Sequence, residues 1–283
     1  MQERSGTFQN AAGQRLFEQH WLPDAAPAAD VVIVHGYAEH LGRYQHVANY
    51  LVRRGYAVHA LDLRGHGRSE GDRVLVRSFN EHLDDVELFL ERVRGEAAGR
   101  PIFILGHSMG GTITALDTIV RLPDVRGVML SGAGMTLRLR FFERLLLEVM
   151  VLVGRILPRW RVRELAATDV SRDPDVVARY DSDPLVYRGK MPAGTLSAMV
   201  RAIRLIDKRM EDEQYPVLIM HGTEDALTSP NGSRALYERA SSADKTLKIY
   251  EGLFHEILNE PEQLTVLGDI AAWLDERTHT TPK

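Results

Sequence analysis

The chain has 283 residues, 44% of them hydrophobic and 26% charged, with a formal net charge of −4 and no cysteine. Its length suits one large α/β domain with an insertion, or two small domains, and a full core needs no staples. The absent cysteine excludes disulfides, thiolate zinc sites and cysteine nucleophiles, and the acidic balance without a dense basic cluster argues against a nucleic-acid partner.

The opening Met1–Thr7 lacks the apolar core of a signal peptide. No run approaches the ~20 uncharged apolar residues of a membrane span, so a cytoplasmic protein is expected. Thr7–Gln9 and Leu16–Trp21 flank an Asn-Ala-Ala-Gly turn and predict a hairpin. Asp30–Val34 reads as a buried strand ending at His35-Gly36, Tyr44–Arg54 as a helix closed by Gly55, and Tyr56–Asp62 as the next strand. The loop Arg64-Gly65-His66-Gly67-Arg68-Ser69 lacks the glycine spacings of phosphate-binding loops and reads as a tight structural loop bordering a site. Ser78-Phe79-Asn80-Glu81 offers a capping box for a helix running to about Gly95.

Ile102–Leu105 is a continuous apolar run, followed by Gly106-His107-Ser108-Met109-Gly110 and a helical stretch that ends before Pro123. Strand, glycine-flanked serine and helix are the parts of a nucleophile elbow. The sharp turn leaves no room for β-carbons beside the serine, and the following helix aims its N-terminal amides at the site. Val125–Ser131 makes a sixth strand. Alternation then breaks: about Met135 to Arg209 predicts helices and loops with no convincing strand. It resumes with Val217–His221, a helix over Pro230–Ala240, a strand over Thr246–Tyr250 and a final helix over Pro261–Glu276. The fold class is therefore α/β, a mostly parallel sheet flanked by helices. Residues 1–134 and 210–283 form the core, and a helical insertion over 135–209 interrupts it.

A serine nucleophile needs a base and an orienting carboxylate, which in a parallel sheet belong beyond the C-terminal ends of strands. Asp225 follows the Val217 strand and His255 follows the Thr246 strand, giving the chain order Ser108, Asp225, His255. Glu224 competes with Asp225 as its neighbour, and any one of 11 histidines can be merely structural. His35 and His221, each before a glycine at a strand end, read as packing and hydrogen-bonding groups near the site. His35, His40 and His46 are too loosely spaced for a zinc helix motif. The oxyanion hole takes two backbone amides, here Met109 after the nucleophile and Tyr37 after the first core strand. No metal or organic cofactor is called for.

Several stretches, in order along nearly the whole chain, carry a family likeness. They are His35-Gly36-Tyr37-Ala38-Glu39-His40 with Gly42-Arg43-Tyr44; Asp62–Gly71; Gly106–Gly111; Asp183-Pro184-Leu185; and Gly252-Leu253-Phe254-His255-Glu256. The sequence resembles the monoacylglycerol lipase/lysophospholipase branch of the serine α/β-hydrolases. The resemblance implies an α/β-hydrolase fold with a helical cap over an acyl pocket. It implies hydrolysis of a single-chain acyl ester, typically of glycerol. Ser108, Asp225 and His255 match the family triad, and Tyr37 and Met109 its oxyanion amides. Glu39 and Arg43 match polar positions near the alcohol head group, with a structural ion pair as the alternative. Ala38 departs from the glycine of many relatives. A lysophospholipase, a generalist carboxylesterase, an acyltransferase and, on the same fold, a non-catalytic lipid-binding protein are the rival readings.

On a helical wheel Phe141–Leu157 groups Arg144, Glu148 and Arg155 on one narrow face and leaves an apolar arc wider than the ~100° stripe that one core contact needs. With Arg138, Arg140, Arg159, Arg161 and Arg163 flanking it, this stretch is expected to meet a membrane or micelle surface, with a buried cap helix or dimer contact as the alternative. Oligomeric state is not legible.

Overall fold

The computed structural model describes residues 1–137, 141–163 and 167–278. β1 (Gln2–Gln9) and β2 (Arg15–Leu22) form the hairpin, longer at its start than the alternation suggested. β3 (Asp30–Val34) leads through a short 3-10 turn at Leu41–Tyr44 into α1 (Gln45–Val52). β4 (Ala57–Leu61), α2 (Asn80–Ala97), β5 (Ile102–His107), α3 (Met109–Val120) and β6 (Gly127–Ser131) follow. At α2 the capping box forms: Glu81 Oε1 accepts from the Ser78 amide at 3.0 Å, and Ser78 Oγ accepts from the Asn80 amide at 3.2 Å.

The tract after β6 holds α4 (Phe141–Ile156), β7 (Arg161–Arg163), α5 (Pro174–Ser182), β8 (Met191–Pro192) and α6 (Ala193–Lys208). The expectation of a strandless tract is thus corrected, because β7 and β8 pair antiparallel as a separate two-stranded ribbon. Neither segment alternates over enough residues to give a strand pattern, so only their meeting defines them. β9 (Val217–Gly222), α7 (Pro230–Arg239), β10 (Lys245–Tyr250) and α8 (Gln263–Thr278) complete the chain.

The main sheet has the order β1-β2-β4-β3-β5-β6-β9-β10. From β4 to β10 every pairing is parallel, while β2 joins β4 antiparallel. Both faces are covered, which is why the central strands are continuously apolar. Val32, Val34, Ile102 and Ile104 face a core built with α2, α3 and α6. Val31, Ile33, Phe103 and Leu105 face the opposite core with α1 and α8. This is the α/β-hydrolase architecture, with the C-terminal ends of β3, β5, β9 and β10 at one edge.

Candidate active site

Ser108 sits between β5 and α3 with φ +53° and ψ −117°, a strained conformation for a residue with a side chain. Two glycines make the turn possible. A β-carbon on Gly110 would lie 2.0 Å from the Val34 carbonyl oxygen, and one on Gly106 2.5 Å from that of Gly110. The strain is held by the Ser108 amide, which donates to the Ser131 carbonyl at 2.8 Å.

The structure brings Ser108, His255 and Asp225 together. His255 Nδ1 lies 2.7 Å from Asp225 Oδ2, and Nε2 lies 2.8 Å from Ser108 Oγ. A carboxylate only accepts, so Nδ1 carries the proton and Nε2 is left to accept from the serine hydroxyl. Burial disfavours the His255 imidazolium, but the hydrogen bond and charge of Asp225, with Glu256 and Glu39 behind it, outweigh burial and raise its pKa. Burial alone would raise the Asp225 pKa; hydrogen bonds and charge from His221 and His255 hold it well below the usual carboxylate range. Such a chain can generate a serine nucleophile near neutral pH.

Met109 opens α3, so its amide faces the serine side of the helix N-terminus. The loop after β3 passes directly over the nucleophile, since a β-carbon on Gly36 would be 3.1 Å from Ser108 Cβ. Glu39 Oε1 accepts from the Gly36 amide at 2.6 Å and so pins the turn that carries Tyr37. Ala38 in that turn adopts φ +68°, the left-handed region that a glycine would occupy without strain.

Glu39 and Arg43 form the ion pair that the sequence left as an alternative, and Glu256 joins it. Arg43 reaches Glu39 at 2.7 Å and grips Glu256 through both terminal nitrogens at 2.5 and 2.6 Å. Tyr44 adds a hydroxyl to Glu39 Oε1 at 2.7 Å. Against the cost of burial, Arg43 holds the Glu256 carboxyl down at about 2. Sequence reasoning missed this role of Glu256; the available signal was a carboxylate beside His255 with no basic neighbour in sequence. It also missed the contacts of His40 with Asp183 (2.8 Å) and of His221 with Asp225 (3.0 Å). The Arg64–Ser69 loop closes on Asp62, whose carboxylate accepts from the Leu41 and Arg68 amides, each at 2.8 Å. Gly67 leaves room for that carboxylate, because a β-carbon there would lie 2.2 Å from it.

Ser108 opens on a cavity of about 100 Å³, lined among others by Tyr37, Val170, Tyr180, Met191, Met199 and Leu227. Four of these side chains come from the tract between β6 and β9. Glu39 and Glu256 also reach the wall, and among the described residues no lysine or arginine does. A larger polar cleft of about 490 Å³ lies on the other side of Arg43, but none of the chain Ser108–His255–Asp225 lines it. Burial and the adjacent His255 hold His107 down at about 4, so it is a neutral part of the wall. Among the described residues no cluster of three or more histidine, aspartate or glutamate side chains has metal-binding geometry.

The family described as Serine aminopeptidase, S33, matches residues 25–262. A monoacylglycerol lipase of Mycolicibacterium smegmatis is 39% identical over 268 residues, 95% of each chain. The human monoglyceride lipase is 32% identical over 273 residues, 96% of this chain and 90% of that one. Among solved structures, a monoacylglycerol lipase of Paleococcus ferrophilus superposes with a TM-score of 0.81 at 29% identity, covering 98% of this chain and all of the other.

Proposed function

We propose, from the premise that this chain belongs to the monoacylglycerol lipase branch of the α/β-hydrolases and is a carboxylic ester hydrolase, that it cleaves monoacylglycerols to a fatty acid and glycerol. The observation that carries the reading is the unbroken chain from Ser108 Oγ through His255 to Asp225 at the rim of a cavity whose exposed surface is mostly apolar. His255 takes the proton of Ser108 as the oxygen attacks the ester carbonyl. The Tyr37 and Met109 amides stabilise the tetrahedral oxyanion. His255 then protonates the leaving glycerol oxygen, and a water repeats the sequence on the acyl-enzyme. Asp225 fixes the imidazole tautomer and stabilises its charge.

The head group follows from the wall. Its carboxylates, Glu39 and Glu256, are already engaged by Arg43, and among the described residues no lysine or arginine faces the cavity to pair with a phosphate. That favours an uncharged alcohol over a lysophospholipid. Glu39, on the wall, is assigned to the glycerol hydroxyls, and Arg43 to holding Glu39 and Glu256. Residues 135–209 act as the cap: the cavity is smaller than the ~300–1,000 Å³ typical of ligand pockets, so a long acyl chain enters as the segments carrying Val170, Tyr180, Met191 and Met199 give way. The exposed apolar side of α4 is the surface that meets the lipid phase.

Ser108→Ala is expected to lower turnover by about 10⁴-fold or more and to abolish fluorophosphonate labelling. A panel of mono-, di- and triacylglycerols, lysophosphatidylcholine and short esters checks the substrate. Wild-type hydrolysis by the variant overturns the mechanism, and a preference for lysophosphatidylcholine overturns the head-group assignment.

A further inference from the structure

Asp225 is held by more than His255. Its Oδ1 accepts from the Leu227 and Thr228 amides at 2.8 and 2.9 Å. Its Oδ2, the oxygen facing His255, also lies 2.7 Å from the Thr228 hydroxyl and 3.0 Å from His221 Nε2. The Thr228 hydroxyl has one proton and a second acceptor, the Gly132 carbonyl at 2.9 Å. His221 lies at the end of β9 and is fully buried. Its Nδ1 is 2.7 Å from Ser233 Oγ on α7, and the other groups near Nε2 are the Thr228 carbonyl at 3.3 Å and hydroxyl at 3.2 Å.

The tautomer follows from electrostatics. A bare Nε2 would set its lone pair against a carboxylate at 3.0 Å, so Nε2 carries a proton and donates it to Asp225. The Ser233 hydroxyl then donates to Nδ1 and keeps the proton where it is needed. We propose that His221, oriented by Ser233, is a positioning residue for the hydrolytic reaction: it fixes the Asp225 carboxylate and takes up part of its charge, so that His255 is neither misaligned nor over-stabilised as imidazolium.

The proposal rests on the reading of Ser108, His255 and Asp225 as the triad. The charged and titratable groups facing this assembly are His255 on Asp225, and Glu256, Glu39 and His107 around His255. None of these is altered by replacing His221. Removing one donor leaves Oδ2 more basic, strengthens its hold on the His255 proton and moves the acidic limb of kcat/KM to higher pH.

The experiment compares His221→Leu, His221→Gln and Ser233→Ala in ester hydrolysis across pH, with Ser108→Ala as reference. His221→Leu is expected to lose about tenfold in kcat with KM within about twofold, and to shift the acidic limb upward. His221→Gln, whose amide nitrogen reaches the same oxygen, is expected to restore most of both. Ser233→Ala is expected to fall between, and decides the matter if the leucine variant does not fold. A folded His221→Leu, or Ser233→Ala in its place, with wild-type kcat and pH profile overturns the inference. So does a loss shared equally by leucine and glutamine with an unmoved limb. If Ser108→Ala remains active, the triad reading fails instead.

Discussion

Two buried aspartates show how far environment alone separates identical side chains. Asp225 collects amide, hydroxyl and imidazole donors and stays ionised. Asp117 on α3 is fully buried, and neither of its carboxylate oxygens has a hydrogen-bond partner. Burial, with the charge of Glu87 added and that of Arg121 opposing, pushes its pKa up to about 7. The folded chain therefore binds this proton more tightly than the unfolded one. Stability is lost as pH rises from the ordinary aspartate range towards 7, and the penalty is constant above that. Asp117→Asn is expected to match the wild type in urea unfolding near pH 4. It should exceed it progressively towards pH 7 and hold a gap of about 2–4 kcal/mol at pH 8. A gap that does not change with pH would show that Asp117 does not titrate in this range.

At the scale of elements, the site is a consequence of how closely α3 docks. The helix begins at Met109, immediately after the serine, and Gly106 and Gly110 let it lie against β5 and β3. The contact that a β-carbon on Gly110 would make is with the backbone oxygen of Val34, which cannot swing aside as a side-chain end can. Gly110→Ala is expected to cost about 3 kcal/mol in urea unfolding and to reduce fluorophosphonate labelling of the folded fraction, because α3 and the Met109 amide must move outward. A loss below about 0.5 kcal/mol with full labelling would mean that the turn tolerates a β-carbon.

At the scale of the molecule, α4 buries Val151 yet leaves most of its apolar side chains on the surface. Glu148 faces α6, pairing with Arg204 at 2.5 Å, and Gly154 packs close to the Ala193 carbonyl. Phe142, Leu146 and Ile156 are 80%, 63% and 68% exposed, and Leu145, Val149, Leu152 and Trp160 continue the stripe. An apolar stripe of this extent on a protein surface marks a contact with something apolar. No helix among the described residues is long and apolar enough to cross a membrane. Of the flanking arginines, Arg159 pairs with Asp72 and Arg161 stacks on Tyr187. Arg138 and Arg140 lie outside the described residues, as do the side chains of Arg144 and Arg163. Leu146→Glu with Leu152→Glu is expected to cut flotation with anionic liposomes severalfold and leave hydrolysis of a short soluble ester unchanged. Equal flotation of wild type and the folded variant would remove the lipid-docking assignment.

The sequence by itself determined the order of strands and helices outside residues 135–209, the strand, turn and helix around Ser108, and the placing of Asp225 and His255 just past strand ends. Each of these is written locally, in apolar runs of strand length, in glycines where a turn admits nothing larger, and in polar residues just past a strand end. The tertiary structure alone decided that Arg43 binds Glu256, 213 residues away, that His221 rather than only His255 touches Asp225, that β7 pairs with β8, and that the apolar stripe of α4 faces outward. Periodicity reports which residues share a face, but not what that face meets; for buried charges and for an amphipathic helix, the partner sets the meaning.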